Sequence, residues 1–306
     1  MGRLSKQAER KSPYMLLLLV VFLWGVNSVS IKYLTEFFPP LLLAAVRLLL
    51  AGSFLFGIFL LKNKKRTLPR PAWGATFGVA VFAIFLHQIA LTVGLKETSS
   101  THAILILGMG PLFTTVMACI FLRESFSLPR GLGLLLGLGG VVLVVAGKSQ
   151  TGASLQGDAL IGAAALAFAI GALFVKKAVM HSSSLAVTAY SHFFAALGLG
   201  AAALCLQPPA LATIVLNSTV VGVLLFSSFM STAVGALLWN MSIHQVGAST
   251  AALFQNASPV VGIFAAALFL GEELIWQYFL SLCLVIGGVV LGAGILSLPD
   301  FTKNKP

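Results

Sequence analysis

The sequence predicts an all-α integral membrane protein of ten transmembrane helices, arranged as two inverted five-helix repeats, and three observations carry that prediction. The chain of 306 residues is 58% hydrophobic and only 9% charged, with a mean hydropathy of +1.01, far from the charged surface a soluble fold requires. Its apolar residues gather into segments of about 20, the length that crosses a ~30 Å hydrocarbon core at ~1.5 Å per residue. Finally, GPLFTTVMACIFLRE and SPVVGIFAAALFLGE repeat one pattern 148 residues apart, Pro111 leading to Glu124 as Pro259 leads to Glu272.

By that ruler the spans are 13–33, 39–61, 72–93, 99–121, 129–146, 157–178, 183–206, 215–240, 249–270 and 275–297. The first follows a basic stretch, MGRLSKQAERKSPY, but its apolar run is long, carries Trp24 and Asn27, and shows no small-residue cleavage site. It reads as a retained span and not a signal peptide. The fifth, LPRGLGLLLGLGGVVLVVAG, is rich in glycine, which favours close contact between helices. All eight acids lie at the ends of apolar segments or outside them. Cys119, Cys205 and Cys283 lie within apolar segments without CxxC spacing and read as small packing residues.

A formal net charge of +11 would suit nucleic acid, but the basic residues cluster in loops beside apolar helices, so no nucleic-acid partner is expected. They report topology instead. With the N-terminus in the cytoplasm, 15 Lys and Arg fall inside and 3 outside, with Arg47 left within a span. This is the positive-inside pattern of a multi-pass protein of the cytoplasmic (inner) membrane with both termini cytoplasmic.

In the register of 148, Phe121-Leu122 meets Phe269-Leu270, and Gly139-Gly140-Val141-Val142-Leu143 meets Gly287-Gly288-Val289-Val290-Leu291. The first spans of the halves match less closely, Gly25 pairing with Gly171 at a register of 146. The chain therefore divides into 1–148 and 149–306, five spans each. Five is odd, so the second copy enters the membrane from the opposite side. Inverted halves related by a pseudo-two-fold axis in the membrane plane are a design typical of secondary transporters.

FLWGVNSVSIKYL in span one, TSSTHAILILGMGPLFTTVMACIFLRE in span four, GASTAALFQNASPVVGIFAAALFLGEE in span nine and the two Gly-Gly-Val-Val-Leu spans carry a further resemblance. The chain resembles the ten-helix EamA-type members of the drug/metabolite transporter superfamily over nearly its whole length. The resemblance implies a central cavity lined mainly by spans 1, 3, 4, 6, 8 and 9, with spans 5 and 10 packed peripherally. It also implies a solute among amino acids, nucleotide sugars, sugar phosphates, choline or toxic organic compounds.

The candidate cavity residues are polar or aromatic groups inside spans. Trp24, Asn27 and Ser28 share one face of span one, and a polar stripe is costly against lipid. Interhelical packing is the alternative for Asn27. His87 and Gln88, adjacent in span three, cover a wide arc. Gln255 and Asn256 precede Pro259, whose ring frees the carbonyl four residues back. Trp239 suits stacking on a flat or cationic ligand, or anchoring at the interface.

Other residues are expected to gate or support. Arg47, unpaired, would cost about 2.5 to 3.5 kcal/mol at a helix centre, so it recognises an anion, pairs at a gate, or snorkels to the headgroups. Tyr190 and His192 lie at comparable depth in span seven. Pro111 and Pro259 should bend their helices. Glu124 and Glu272 read as caps or anchors between helices. His102 begins span four; a lone membrane histidine is more often a packing residue than a proton relay.

Neither a metal site nor a cofactor is expected, since no two histidines stand at ligand spacing and no acid is within helical reach of one. No carboxylate lies near a midplane, so transport is expected to be facilitated, or else coupled through a histidine. The same residues suit a neutral, zwitterionic or carboxylate-bearing solute, an amino acid or related metabolite, aromatic ones included. The alternatives are a multidrug or quaternary-amine exporter and an intramembrane enzyme. No GxSxG, HExxH or GxxxxGK[ST] supports the enzyme, and no catalytic residue is assigned. The expected partners are a small solute and membrane lipids; monomer and homodimer, import and export, all fit the pattern.

Overall fold

In the computed structural model, which describes residues 2–62, 67–97, 106–146, 154–206, 214, 216–270 and 276–292, no strand occurs among the described residues. The helices are α1 (Gly2–Leu34), α2 (Pro40–Lys62), α3 (Arg70–Gly78, Val79–Leu86 and His87–Glu97 in unbroken succession), α4 (Gly110–Leu122) and α5 (Leu128–Ala146). The second half repeats the series as α6 (Leu155–Val179), α7 (Ser184–Leu206), α8 (Ser218–Leu225, Phe226–Val234 and Gly235–Val246 in succession), α9 (Ala248–Gln255 and Ser258–Leu270) and α10 (Trp276–Gly292). Among the described residues, seven helices are long and apolar enough to cross a membrane, with Ile106–Leu122 and Phe279–Gly292 as shorter apolar helices. Leu18, Phe22, Phe54, Phe77, Leu135, Leu166, Leu197, Phe279 and Ile286 are exposed on the outside of the bundle, a surface that suits lipid and not water.

Caps fix several ends. Ser154 Oγ accepts from Gly157 N at 3.0 Å to start α6, and Asn217 Oδ1 accepts from Val220 N at 2.8 Å to start α8. The sequence expectation ended the eighth span at 240, whereas α8 continues to Val246. It stops at Gly247, whose φ of 87° suits glycine. Lys176 Nζ, from α6, donates to the carbonyls of Ile243 at 3.3 Å and His244 at 3.5 Å, a cation at the negative end of the helix.

The prolines act differently from expectation. Neither bends a continuous helix: Pro111 lies in the first turn of Gly110–Leu122, after a break at Met109, and Pro259 follows Ser258 at the start of the second part of α9. A missing N–H is tolerated in a first turn, where no intrahelical acceptor exists. At the α9 break, Asn256 N and Ala257 N turn to the carbonyls of Leu253 and Phe254, three residues back, at 3.3 and 3.0 Å.

Among the described residues two stretches are π-helical, Val79–Leu86 in α3 and Phe226–Val234 in α8. Shifted by the register of 148, the first falls on 227–234, inside the second. The packing is duplicated as well. α3 packs most extensively on α6, followed by α2 on α7 and α5 on α10; α1 also packs on α8 and α9, and α4 on α6. Exchanging each helix for its counterpart five positions along carries α2–α7 and α5–α10 into themselves, α3–α6 into α1–α8, and α1–α9 into α4–α6. Two-fold related halves pack in this way.

Candidate functional site

A cavity of about 260 Å³ lies between the halves. α1 contributes Trp24, Asn27 and Ile31 to its wall, α2 Arg47 and Leu48, and α3 Val79, Ala83, Ile84, His87, Gln88 and Leu91. From the second half come Phe168, Ala172 and Val175 of α6, His192 of α7, Ser231, Thr232, Ala236, Trp239 and Asn240 of α8, and Gln255 of α9. In the register of 148, Ala83, Ile84, Gln88 and Leu91 meet Ser231, Thr232, Ala236 and Trp239, so α3 and α8 offer equivalent faces. Two details differ from the family expectation: α2 and α7 reach the wall, and no described residue of α4 does.

The wall has an aromatic part. Trp24 and Trp239 lie 5.3 Å apart between ring centroids, Phe168 lies 6.3 Å from Trp24 and 6.0 Å from Trp239, and His87 lies 5.2 Å from Phe168. Trp24 Nε1 donates to Ser231 O at 3.2 Å, so the indole N–H is satisfied inside the bundle. His87 Nδ1 is 2.9 Å from Ala164 O; a carbonyl only accepts, so Nδ1 carries the proton.

The polar part is a chain of hydrogen bonds through the π stretch of α8. Arg47 Nη2 donates to Thr232 Oγ1 at 3.0 Å, and Thr232 Oγ1 donates to Ser227 O at 2.8 Å. Ser227 Oγ donates to Asn27 Oδ1 at 2.6 Å, and Ser231 Oγ to Leu23 O at 2.9 Å. The chain thus runs from α2 across α8 to α1. On α7, His192 Nδ1 donates to Thr188 O at 2.9 Å, and Asn240 Nδ2 of α8 donates to Thr188 Oγ1 at 2.8 Å. Arg47 is 6% exposed, so it does not snorkel to the headgroups.

Of the eight residues expected to meet solute, Trp24, Asn27, His87, Gln88, Trp239 and Gln255 line the cavity. Asn256 does not: it is 3% exposed and packs on α5, where a Cβ on Gly137 would fall 2.3 Å from its Nδ2. The turn at Asn256 rotates it away from its neighbour Gln255. The Ser28 side chain, the Pro259 side chain, His102 and Glu272 lie outside the described residues. Tyr190 lies away from the wall, among Phe56, Phe59, Trp73 and Phe194. Glu124 accepts from Ala248 N at 3.0 Å and Ser249 N at 3.2 Å, at the N-terminus of α9, while Arg130 Nη2 donates to Thr250 Oγ1 at 3.4 Å. Pro111 is buried at the start of α4.

Sequence reasoning missed Phe168, Ser231, Thr232 and Asn240. The signal for the hydroxyls was present, since Ser227, Ser228, Ser231 and Thr232 crowd one short apolar stretch. Phe168 had no such signal within an alanine-rich span. A larger groove of about 420 Å³ lies between α1, α8 and Phe269 of α9, lined mainly by Val26, Val29, Val223 and Phe226. Its polar groups are the hydroxyl residues Ser30, Tyr33 and Thr219, with no charged residue, imidazole or amide in the lining, so the smaller central cavity is the candidate.

The chain matches the EamA-like transporter family over residues 11–146 and 155–293. It is 28% identical to "Uncharacterized transporter YyaM" of Bacillus subtilis, covering 95% of this chain and 97% of that protein. It is 29% identical to a "Probable amino-acid metabolite efflux pump" of Salmonella typhimurium, covering 90% and 93%. Over a shorter stretch, 40% of this chain and 38% of the relative, it is 32% identical to an "S-adenosylmethionine/S-adenosylhomocysteine transporter" of Chlamydia trachomatis. A solved crystal structure matches with a TM-score of 0.79 at 16% identity, covering 93% of this chain and 97% of its own, a likeness that speaks to the fold alone.

Proposed function

The chain belongs to the EamA-like transporter family, and we propose that it is a secondary carrier moving a small organic solute, an amino acid or related metabolite, across the cytoplasmic membrane by alternating access. Family and relatives' names point to a transporter and not an enzyme. The observation that carries the reading is the central cavity, walled by both halves and combining an aromatic part with a buried cation. A volume of about 260 Å³ falls just below the roughly 300–1,000 Å³ of drug-sized pockets. It suits a metabolite of amino-acid size better than a sugar nucleotide.

In this reading, repeats 1–148 and 149–306 rock about the cavity with both termini cytoplasmic. The Glu124 carboxylate bonded to the N-terminus of α9 closes one end. In the register of 148, Glu272 and residues 100–101 are the sequence counterparts of Glu124 and residues 248–249, so in this reading the second half carries the matching closure for the other end.

A quaternary-amine exporter is the second reading, favoured by the aromatic trio; Arg47 in the same wall opposes it, because like charges repel. A serine hydrolase finds little support in Ser191 and His192. Both Ser191 Oγ, at 3.2 Å, and His192 Nδ1, at 2.9 Å, are directed at Thr188 O, and a base with its proton on the nearer nitrogen does not activate the hydroxyl. The test is counterflow in proteoliposomes with a panel of labelled amino acids, their derivatives and quaternary amines. Saturable exchange of an amino acid or derivative is expected. A folded protein that moves none of the panel, or quaternary amines alone, overturns the proposal.

A further inference from the structure

Arg47 is 6% exposed, and it is the one residue of fixed charge among the described residues lining the central cavity. No aspartate or glutamate is among them. Its Nη2 is held by Thr232 Oγ1 at 3.0 Å, and Thr232 spends its own proton on Ser227 O, so it meets the guanidinium purely as an acceptor. Arg47 Nε is buried with no hydrogen-bond partner among the described residues. A guanidinium kept from lipid, oriented by a neutral hydroxyl and left with an unused donor, is half of an ion pair.

We propose that Arg47 is a carboxylate subsite and that the solute supplies the missing anion. The inference rests on the carrier reading and deepens it by naming the solute class: a small organic acid or zwitterion whose carboxylate meets Arg47. The apolar remainder of such a solute has Trp24, Phe168 and Trp239 in the same cavity. The imidazoles do not compete for this role through Nδ1, since His87 and His192 spend that proton on the carbonyls of Ala164 and Thr188. A carboxylate replaces the water around a held guanidinium with charge-assisted hydrogen bonds, whereas a carboxamide of the same shape brings no charge. Thr232 connects the subsite to α8 and, through Ser227, to Asn27 of α1. Loading the subsite therefore acts directly on the contact between the halves.

The experiment uses the full chain purified in detergent. Binding is measured for matched pairs of probes, N-acetylphenylalanine with N-acetylphenylalaninamide and N-acetylleucine with N-acetylleucinamide, by thermal shift and titration calorimetry. The acid of at least one pair is expected to bind tenfold or more tightly than its amide. In Arg47→Gln the acid is expected to fall to the level of the amide, and Arg47→Lys to restore part of the difference. Equal binding of acid and amide by the wild type, no binding of either, or an acid preference that persists in folded Arg47→Gln each overturns the proposal. The wild-type comparison decides even if the variant does not fold. Failure here leaves the carrier reading standing when counterflow of any solute is saturable. Absence of all counterflow overturns that reading without touching an acid preference seen in binding.

Discussion

The α2–α7 pair and the α5–α10 pair hold comparable places in the fold, each joining a helix of the first half to its counterpart in the second, yet they are filled in opposite ways. Between α5 and α10 the backbones almost touch. A Cβ on Gly133 would fall 2.4 Å from Gly288 O, and one on Gly288 would fall 2.6 Å from Gly133 O. Ser281 Oγ donates across the seam to Gly140 O at 2.7 Å, and no described residue of either helix lines the cavity. Between α2 and α7 the contact is as extensive, but Arg47 and His192 leave it to line the cavity. One pair supplies cohesion and the other accepts buried polarity. Lipid gives helices no hydrophobic reason to associate, so close approach of small residues must provide it in one place before a charge is tolerable in another.

The comparison breaks most severely at the glycine seam. Gly133→Leu has no room on either side and is expected to cost about 3 kcal/mol or more by overpacking, visible as loss of the monodisperse species on size exclusion and a fall in unfolding temperature. A wild-type profile for that variant would mean that the seam is not what holds the pair together. Arg47→Gln is expected to move the other way. It removes a buried charge whose neutralising partner is not among the described residues, so thermal stability should stay level or rise while saturable exchange in proteoliposomes falls at least tenfold. A variant that loses stability and keeps transport would reverse the roles assigned to the two pairs. The finest distinction comes from single hydroxyls. Ser281→Ala at the seam loses one bond and should cost about 0.6 kcal/mol, the average for such bonds in membranes, while Thr188→Val beneath Asn240 loses both the bond Oγ1 donates to Ser184 O and the one it accepts from Asn240 Nδ2 and should cost about 1.2 kcal/mol, measured by reversible unfolding. Only the second should also alter transport, because Asn240 lines the cavity.

Much of this architecture was legible in the sequence because the hydrocarbon core imposes a length on every helix. The spans expected at 39–61, 129–146, 157–178 and 183–206 differ by no more than two residues at either end from α2, α5, α6 and α7. The glycines of the fifth span announced the seam. Polarity inside a span was equally informative, and Asn27, His87 and Gln88 all line the cavity. What the sequence hid was rotation. Gln255 and Asn256 are adjacent, yet at the break in α9 one lines the cavity and the other packs on Gly137. The π stretch of α3 lies in an apolar run, VAVFAIFL, where a change of period leaves no mark, and that of α8 shows in the sequence only as a cluster of hydroxyls. Arg47 was visible from the start as an anomaly, but its orientation by Thr232 depends on two helices 185 positions apart in sequence.

The two π stretches have a mechanical consequence. Each winds the chain more loosely than an α-helix and so holds slack that its flanking turns do not. Passing that slack one turn along the helix would exchange a few backbone bonds and rotate the residues beyond it. His87 and Gln88 stand just past the loose winding in α3, and Trp239 and Asn240 just past that in α8. Two swivels, one in each inverted copy, would let the walls of the chamber turn without pulling either end out of the bilayer.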